Sequence, residues 1–133
     1  MPKSPYVVSA LPYVYIWNSL YDGDLNTIKM YMENYNEKND MTLQHPILHQ
    51  IAYHAGHDPD NKNFSSELQE RFYKQNETFK FIWSHPKFQH LINNKNYVDK
   101  YGNTAVERLN LRIKHYPYYM KIWISKNIKE AKL

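Results

Sequence analysis

The stretch Val98-Asp99-Lys100-Tyr101-Gly102-Asn103-Thr104-Ala105-Val106 decides how this chain is read. The chain has only three glycines, and one of them, Gly102, stands two residues ahead of a threonine. Glycine adopts positive φ at little cost and so marks turns. Asp99 can brace such a turn through its side chain, with Gly102 in the left-handed position. Thr104 can then cap a helix, and Glu107, three residues on, completes a capping box. The helix is expected over residues 105–114, where Val106, Leu109 and Ile113 share one face at helical spacing.

The other two glycines, Gly23 and Gly56, stand 33 residues apart. Each ends an apolar, helix-like segment, as helix C-caps do. Tyr13 to Tyr21 precedes Gly23, and Pro46 to Ala55 precedes Gly56, with Pro46 suited to the first helical position. Asp24 can cap a second helix over residues 24–35, whose apolar side is Leu25, Ile28, Met32 and Tyr35.

A turn and two helices repeated at a period near 33 is the signature of ankyrin repeats, and particular motifs resemble that family. His45-Pro46-Ile47-Leu48-His49 is similar to T-P-L-H, with His45 in place of threonine and one extra residue before the glycine. Asp99 to Val106 resembles the D-x-x-G-x-T-P-L hairpin and helix start, with Ala105 for proline and Glu107 for histidine. Gly23-Asp24-Leu25 resembles the start of an outer helix, and Ile82 to Pro86 its end. The resemblance implies an all-α fold: a short, irregular ankyrin-like helical repeat stack with an enlarged middle unit. It implies one domain over residues 1–133, with units at about 9–38, 39–96 and 97–128. The third unit has Ile113 to Pro117 where a glycine would separate its helices.

The middle unit is long because His45 and the equivalent Thr104 are 59 residues apart. Residues 57–66 are polar and turn-rich, the composition of a loop. Residues 67–83 follow as a helix, with Ser66 and Gln69 as its capping box and Leu68, Phe72, Phe79 and Ile82 near one face. Glu67, Glu70 and Glu77 read as its solvated side.

The family's usual role, binding other proteins through hairpin tips and inner helices, implies a non-catalytic interaction module. Small divergent members of this kind often act on host factors from viruses or bacteria, so the partner expected is another protein and the location the cytoplasm, the host's in that case. By resemblance the tips lie near Asp40 to Gln44 and Asp99 to Asn103. The partner-binding candidates are Gln44, Lys100 and Tyr101 at the tips, and Tyr21, Asp22, Tyr53, His54 and Arg112 on the inner helices. Tyrosine and arginine are common interface anchors, and the chain has 13 tyrosines. Against this stand plainer readings: each tyrosine as a half-buried core residue with a wet hydroxyl, Lys100 and Arg112 as solvated charges, and Met30, Met32 and Met41 as core fillers.

Composition bounds the alternatives. A chain of 133 residues fits one domain and buries about two-thirds of its unfolded surface without metal or disulfide. The absence of cysteine excludes thiol chemistry and fits a reducing compartment. Pro5 and Pro12 interrupt the N-terminus, which makes a poor signal peptide, and no run approaches the roughly 18 apolar residues of a spanning helix. Ala131-Lys132-Leu133 is similar to the S-K-L peroxisomal address, a three-letter match that arises easily by chance. The net charge is +4, but 14 lysines and only three arginines are spread along the chain without a block. Nucleic-acid readers concentrate charge and favour arginine, so nucleic acid is the weaker partner class.

The sharpest catalytic alternative is a metal-dependent phosphohydrolase built on His45, His49, His54, His57, Asp58 and Asp60, since imidazoles and carboxylates bind divalent metals and His57-Asp58 resembles the H-D pair of those enzymes. That pair lies within a helix in the enzymes, whereas here it follows a glycine, and His49 already has the place of the ankyrin histidine. No cysteine nucleophile, G-x-S-x-G or phosphate loop is present. No metal or other cofactor is expected.

Overall fold

The computed structural model describes residues 13–133. The expectations for Pro5, Pro12 and the start of the first unit at residue 9 lie outside them. The described chain is all-α, and its only β element is an isolated antiparallel bridge between Val98 and Thr104. The helices are α1 Tyr13–Asp22, α2 Leu25–Glu33, the short α3 Glu37–Met41, α4 Ile47–His54, α5 Ser66–Trp83, α6 Ala105–Arg112 and α7 Tyr118–Asn127. Two 3-10 segments, Pro86–Leu91 and Ile113–His115, lie between them.

The local signals act largely as the sequence requires. Asp24 caps α2 by accepting from the Thr27 amide. Thr104 and Glu107 form the reciprocal capping box of α6. Asp99 Oδ1 accepts from the amides of Tyr101 and Asn103, both at 3.0 Å. Gly102 then takes φ +82, which a side chain would resist. Some boundaries differ. Ser65, not Ser66, caps α5, by accepting from Leu68 N. Pro46 is the cap residue of α4 rather than its first helical residue. α6 ends at Arg112 and tightens into the 3-10 turn before Pro117, a proline that cannot continue a hydrogen-bonded helix. Asp40 is not at a hairpin tip: it lies in α3 and is buried. Met30 is 64% exposed and fills no core.

α4 lies between α1 and α6 and touches both, while α5 packs across α1, α2 and α4. α4 is therefore buried on nearly every side, and of its residues Tyr53 alone is exposed. One apolar core runs through these helices, from Ile16 and Leu20 through Leu48, Ile51 and Ala52 to Leu109 and Ile113. Phe79, Ile82 and Trp83 of α5 close it from behind. Gly56, at φ +99, ends α4 against the ring of Tyr116, where a Cβ would come within 2.1 Å. Buried Asn76 of α5 holds this turn, accepting from Gly56 N at 2.8 Å and donating to His57 O and Tyr119 Oη.

Candidate interaction face

α1 and α4 together present an aromatic cluster. Trp17 and Tyr21 are one helical turn apart on α1, and their rings stack at 5.3 Å. His54 meets both rings edge-on, at 5.1 and 5.4 Å, and also contacts Tyr53 at 5.6 Å. Tyr53 is 58% exposed and Tyr101, at the 98–104 hairpin, 67%.

All three arginines of the chain border this cluster, each over a tyrosine ring. Arg71 of α5 lies 4.7 Å from the Tyr21 ring and donates to Tyr21 Oη at 3.2 Å. Arg112 lies 5.6 Å from the Tyr53 ring and 6.0 Å from that of Tyr116, and donates to Ala55 O at 2.9 Å. Arg108 lies 5.6 Å from the Tyr101 ring and donates twice to Asp99 Oδ2, at 3.1 and 2.7 Å. Lys100 Nζ is 5.2 Å from the same Tyr101 ring. Burial pushes the Asp99 carboxyl up, but Arg108 and the two turn amides outweigh it and hold the group below the usual carboxylate range.

Between the cluster and the hairpin lies a cavity of about 350 Å³. Trp17, Gln50 and Tyr53 line it from α1 and α4, and Tyr101 and Arg108 from the hairpin and α6. Two histidines, His45 and His49, complete the lining. His49 Nε2 is 2.8 Å from Asn103 O. A carbonyl can only accept, so the ring proton sits on Nε2 and Nδ1 is an acceptor. That Nδ1 is buried and has no hydrogen-bond partner among the described residues. Burial holds His49 at about 4. It also holds His54 at about 4, helped by the nearby Arg112. Both imidazoles are therefore neutral at pH 7. His45 is lowered as well, by burial and then by Lys100.

The residues singled out from the sequence fall in three groups. Tyr21, Tyr53, Tyr101, Lys100 and Arg112 lie on this face, and Asp22 sits beside it, 4.0 Å from Arg71. Gln44 keeps an exposed side chain, and its carbonyl accepts from Lys100 N at 2.8 Å, tying the two turns together. His54 is 7% exposed and 2.8 Å from Gln50 Nε2. It supports the neighbouring rings from inside rather than offering its own surface. Arg112 is half-buried over two rings, not a plain solvated charge. Sequence reading passed over Trp17, His45, Arg71 and Arg108 as members of this face. Trp17 had a signal in its four-residue spacing from Tyr21, and the arginines in their scarcity beside 14 lysines.

The histidines that could have formed a metal centre are engaged separately. His45 faces Tyr101 at 6.2 Å, His49 binds Asn103, and His57 stacks on Phe72 at 4.4 Å. Asp58 accepts from the Asp60 amide in its own loop. Among the described residues no three His, Asp or Glu converge as a metal-binding group, and no helix is long and apolar enough to cross a membrane. No family model, curated protein or solved structure matches the chain, so its function is read from the arrangement of its own residues.

Proposed function

We propose that this chain is a non-catalytic protein-interaction module, a divergent relative of ankyrin repeats, that binds its partner through the face of α1, α4, α6 and the 98–104 hairpin. The observation that carries this reading is the pairing of every arginine with a tyrosine on one continuous face. Tyr, Trp and Arg dominate binding energy at protein interfaces. A ring already packed against a guanidinium has lost much of its freedom before the partner arrives, so less entropy is lost on binding. The order of α1, α4 and α6 is the order that stacked inner helices of a repeat protein would have.

Arg71, Arg108, Arg112 and Lys100 outnumber the exposed Asp22 and the buried Asp99, so the fitting partner segment is acidic around its contact. Protein fits better than nucleic acid for a specific reason. The basic residues are spread along the chain rather than massed in one block that would follow a phosphate backbone. The test is affinity capture from source- or host-cell lysate with wild type and a Tyr53→Ala/Tyr101→Ala variant shown by circular dichroism to be folded. A captured protein whose binding falls at least about tenfold in the variant, the effect of losing interface anchors, supports the face. Equal capture by both would move the interface elsewhere. Capture of nucleic acid alone, lost steeply with added salt, would replace the reading.

A further inference from the structure

We infer that a second surface, formed by α7, the end of α6 and residues 132–133, docks on an anionic lipid membrane. Tyr118, Ile122 and Leu133 enter the interface, and Lys114, Lys121 and Lys132 meet the charged headgroups. This surface shares no residue with the interaction face above, and the inference does not rest on that reading.

The register of α7 creates the surface. Met120 and Ile124 are fully buried. Tyr118, Lys121, Ile122 and Ser125 are therefore turned outward, at the i, i+3, i+4 and i+7 spacing of one helical face. Lys114 of the second 3-10 segment borders the same recess of about 440 Å³, as do Lys132 and Leu133. The Lys132 amide donates to Asn110 Oδ1 at 2.8 Å, which holds residues 132–133 against α6. Tyr118 is 77% exposed, Leu133 63% and Ile122 37%. Large apolar side chains that stand together in water mark a contact surface.

Charge sets the sign of what covers it. Among the described residues no acidic side chain lines the recess, and no ion pair involves its three lysines. The imbalance extends along the segment. Residues 113–133 hold five of the chain's 17 basic residues and only one of its 13 acidic ones, Glu130. This segment thus carries the whole net charge of +4, and the rest of the chain is balanced. The covering surface is anionic.

Residue type decides which anionic surface it is. Protein interfaces enrich arginine and deplete lysine. All three arginines of this chain border the other face, and this one has lysines alone. A nucleic acid needs cations that follow its phosphates, whereas here the lysines surround an apolar centre. A membrane interface matches both features. Aromatic rings settle among its headgroups, and aliphatic groups reach the acyl boundary. Lysine stems lie along apolar surface while their ammonium groups meet anionic lipid. α7 has ten residues, too few to span a bilayer, so the contact is peripheral.

The test is co-sedimentation of the full chain with two kinds of vesicle. One is phosphatidylcholine alone, and the other is two parts phosphatidylcholine to one part phosphatidylserine. The expected result is saturable binding to the anionic vesicles, half-complete at about 1 mM lipid. Binding to the neutral vesicles should be weaker by about tenfold or more. Salt at about 1 M should remove the difference by screening. Lys114→Gln/Lys121→Gln should weaken anionic binding about thirtyfold, at about fivefold per lysine. Tyr118→Ser/Ile122→Ser should weaken it about tenfold through lost apolar contact. Lys38→Gln/Lys62→Gln removes the same charge from exposed sites on α3 and the 57–66 loop. It should stay within about twofold of wild type, because charges away from the contact are screened. Circular dichroism checks that each variant is folded. Equal binding to both vesicles would overturn the role of the lysines. An equal loss in the Lys38/Lys62 variant would show a response to net charge and overturn this surface. No binding to either vesicle would overturn the inference outright. Tighter binding to poly-glutamate or to duplex DNA than to anionic vesicles would replace the membrane with an acidic protein or a nucleic acid. Partner capture should survive Lys114→Gln/Lys121→Gln, so failure of either reading leaves the other standing.

Discussion

Two buried carboxylates precede two neighbouring helices, Asp40 before α4 and Asp99 before α6. Asp99 is held by charge and by its own turn: Arg108, Tyr101 N and Asn103 N all lie within nine residues of it. Asp40 is held by neutral donors: the Tyr35 hydroxyl and, at 2.8 Å, Ile47 N, both within seven residues of it, and the distant Tyr97 hydroxyl at 2.6 Å. No ion pair reaches Asp40 among the described residues. Burial pushes its carboxyl up, and the hydroxyls and the Ile47 amide recover only part of that shift, whereas Asp99 ends below the usual range. Similar turns can thus be closed by a local ionic brace or by a distributed neutral one. The distributed one makes the α4 turn depend on Tyr97, 57 residues later in the chain.

The sharpest way to break this comparison is to remove each carboxylate. Asp40→Ala strands two hydroxyls and an amide in the interior and should cost about 4 kcal/mol, since each buried orphan costs about 1–3 kcal/mol and the losses overlap. Asp99→Ala should cost about 2 kcal/mol, because the freed hairpin amides and the Arg108 guanidinium can find water. Urea denaturation of both variants measures the difference; equal losses would mean that the location of the partners does not matter. The pH dependence then separates the two by sign. Folded Asp40 holds its proton more tightly than unfolded Asp40, so its ionisation removes stability as pH rises above about 4. Folded Asp99 gives up its proton more readily, so its contribution is full above about pH 4 and is lost as pH falls further. The stability gap between wild type and Asp40→Asn should therefore widen from neutral pH down to pH 4. Through the carboxyl alone, the gap to Asp99→Asn should hold over that range and narrow below it. His49 and His54, held at about 4 in the fold, withdraw stability from all three proteins below about pH 6.5; His54 drops out of these differences, whereas the Asp99 charge raises His49, so Asp99→Asn deepens the His49 loss and adds to its gap as pH approaches 4.

The same contrast explains what the sequence made legible. The Asp99 turn could be read because its glycine, its brace and its cap are consecutive, and the helices around Gly23 and Gly56 because apolar spacing and capping agree locally. The Asp40 turn has no glycine, and its Tyr97 partner approaches through tertiary packing from 57 residues away, so Asp40 passed as part of a hairpin tip. The proposed interaction face divides in the same way. Tyr21, Tyr53 and Tyr101 could be placed from helix and turn positions. Arg71 could not, because it meets Tyr21 across 50 residues. The histidines from His45 to His57 show the converse, that nearness in sequence need not bring ligands together: the α4 register turns His49 to the hairpin, while the loop lays His57 on Phe72.

A second pair of changes sharpens the comparison at the turn glycines. At Gly56 a Cβ would strike the Tyr116 ring at 2.1 Å. That ring cannot withdraw easily, because it is buried and its hydroxyl donates to Ala52 O at 2.6 Å. Gly56→Ala should cost about 3 kcal/mol from overpacking and backbone strain together. At Gly102 nothing lies within 4 Å, and Gly102→Ala should cost only the left-handed backbone, about 1 kcal/mol. Thermal unfolding distinguishes them. Equal shifts would place the whole effect in φ and remove the packing role of Tyr116.

The smallest expected effect tests whether the Asp99 turn and the α6 cap act as one unit. Thr104 Oγ1 accepts from Glu107 N at 3.2 Å while Glu107 Oε1 accepts from Thr104 N at 2.7 Å. Thr104→Ala removes the first bond and leaves the hairpin bonds of Asp99 in place, so it should cost about 1 kcal/mol, the usual value of an N-cap. Thr104 also pairs with Val98 across the bridge that closes the hairpin, so the two braces share a residue. If they are independent, the Thr104→Ala/Asp99→Ala double variant should lose the sum of the single losses to within about 0.5 kcal/mol. A smaller combined loss would show that the turn and the cap form and fail together. The local brace would then hold as one unit with the cap of α6, and its stabilisation could not be divided between Asp99 and Thr104.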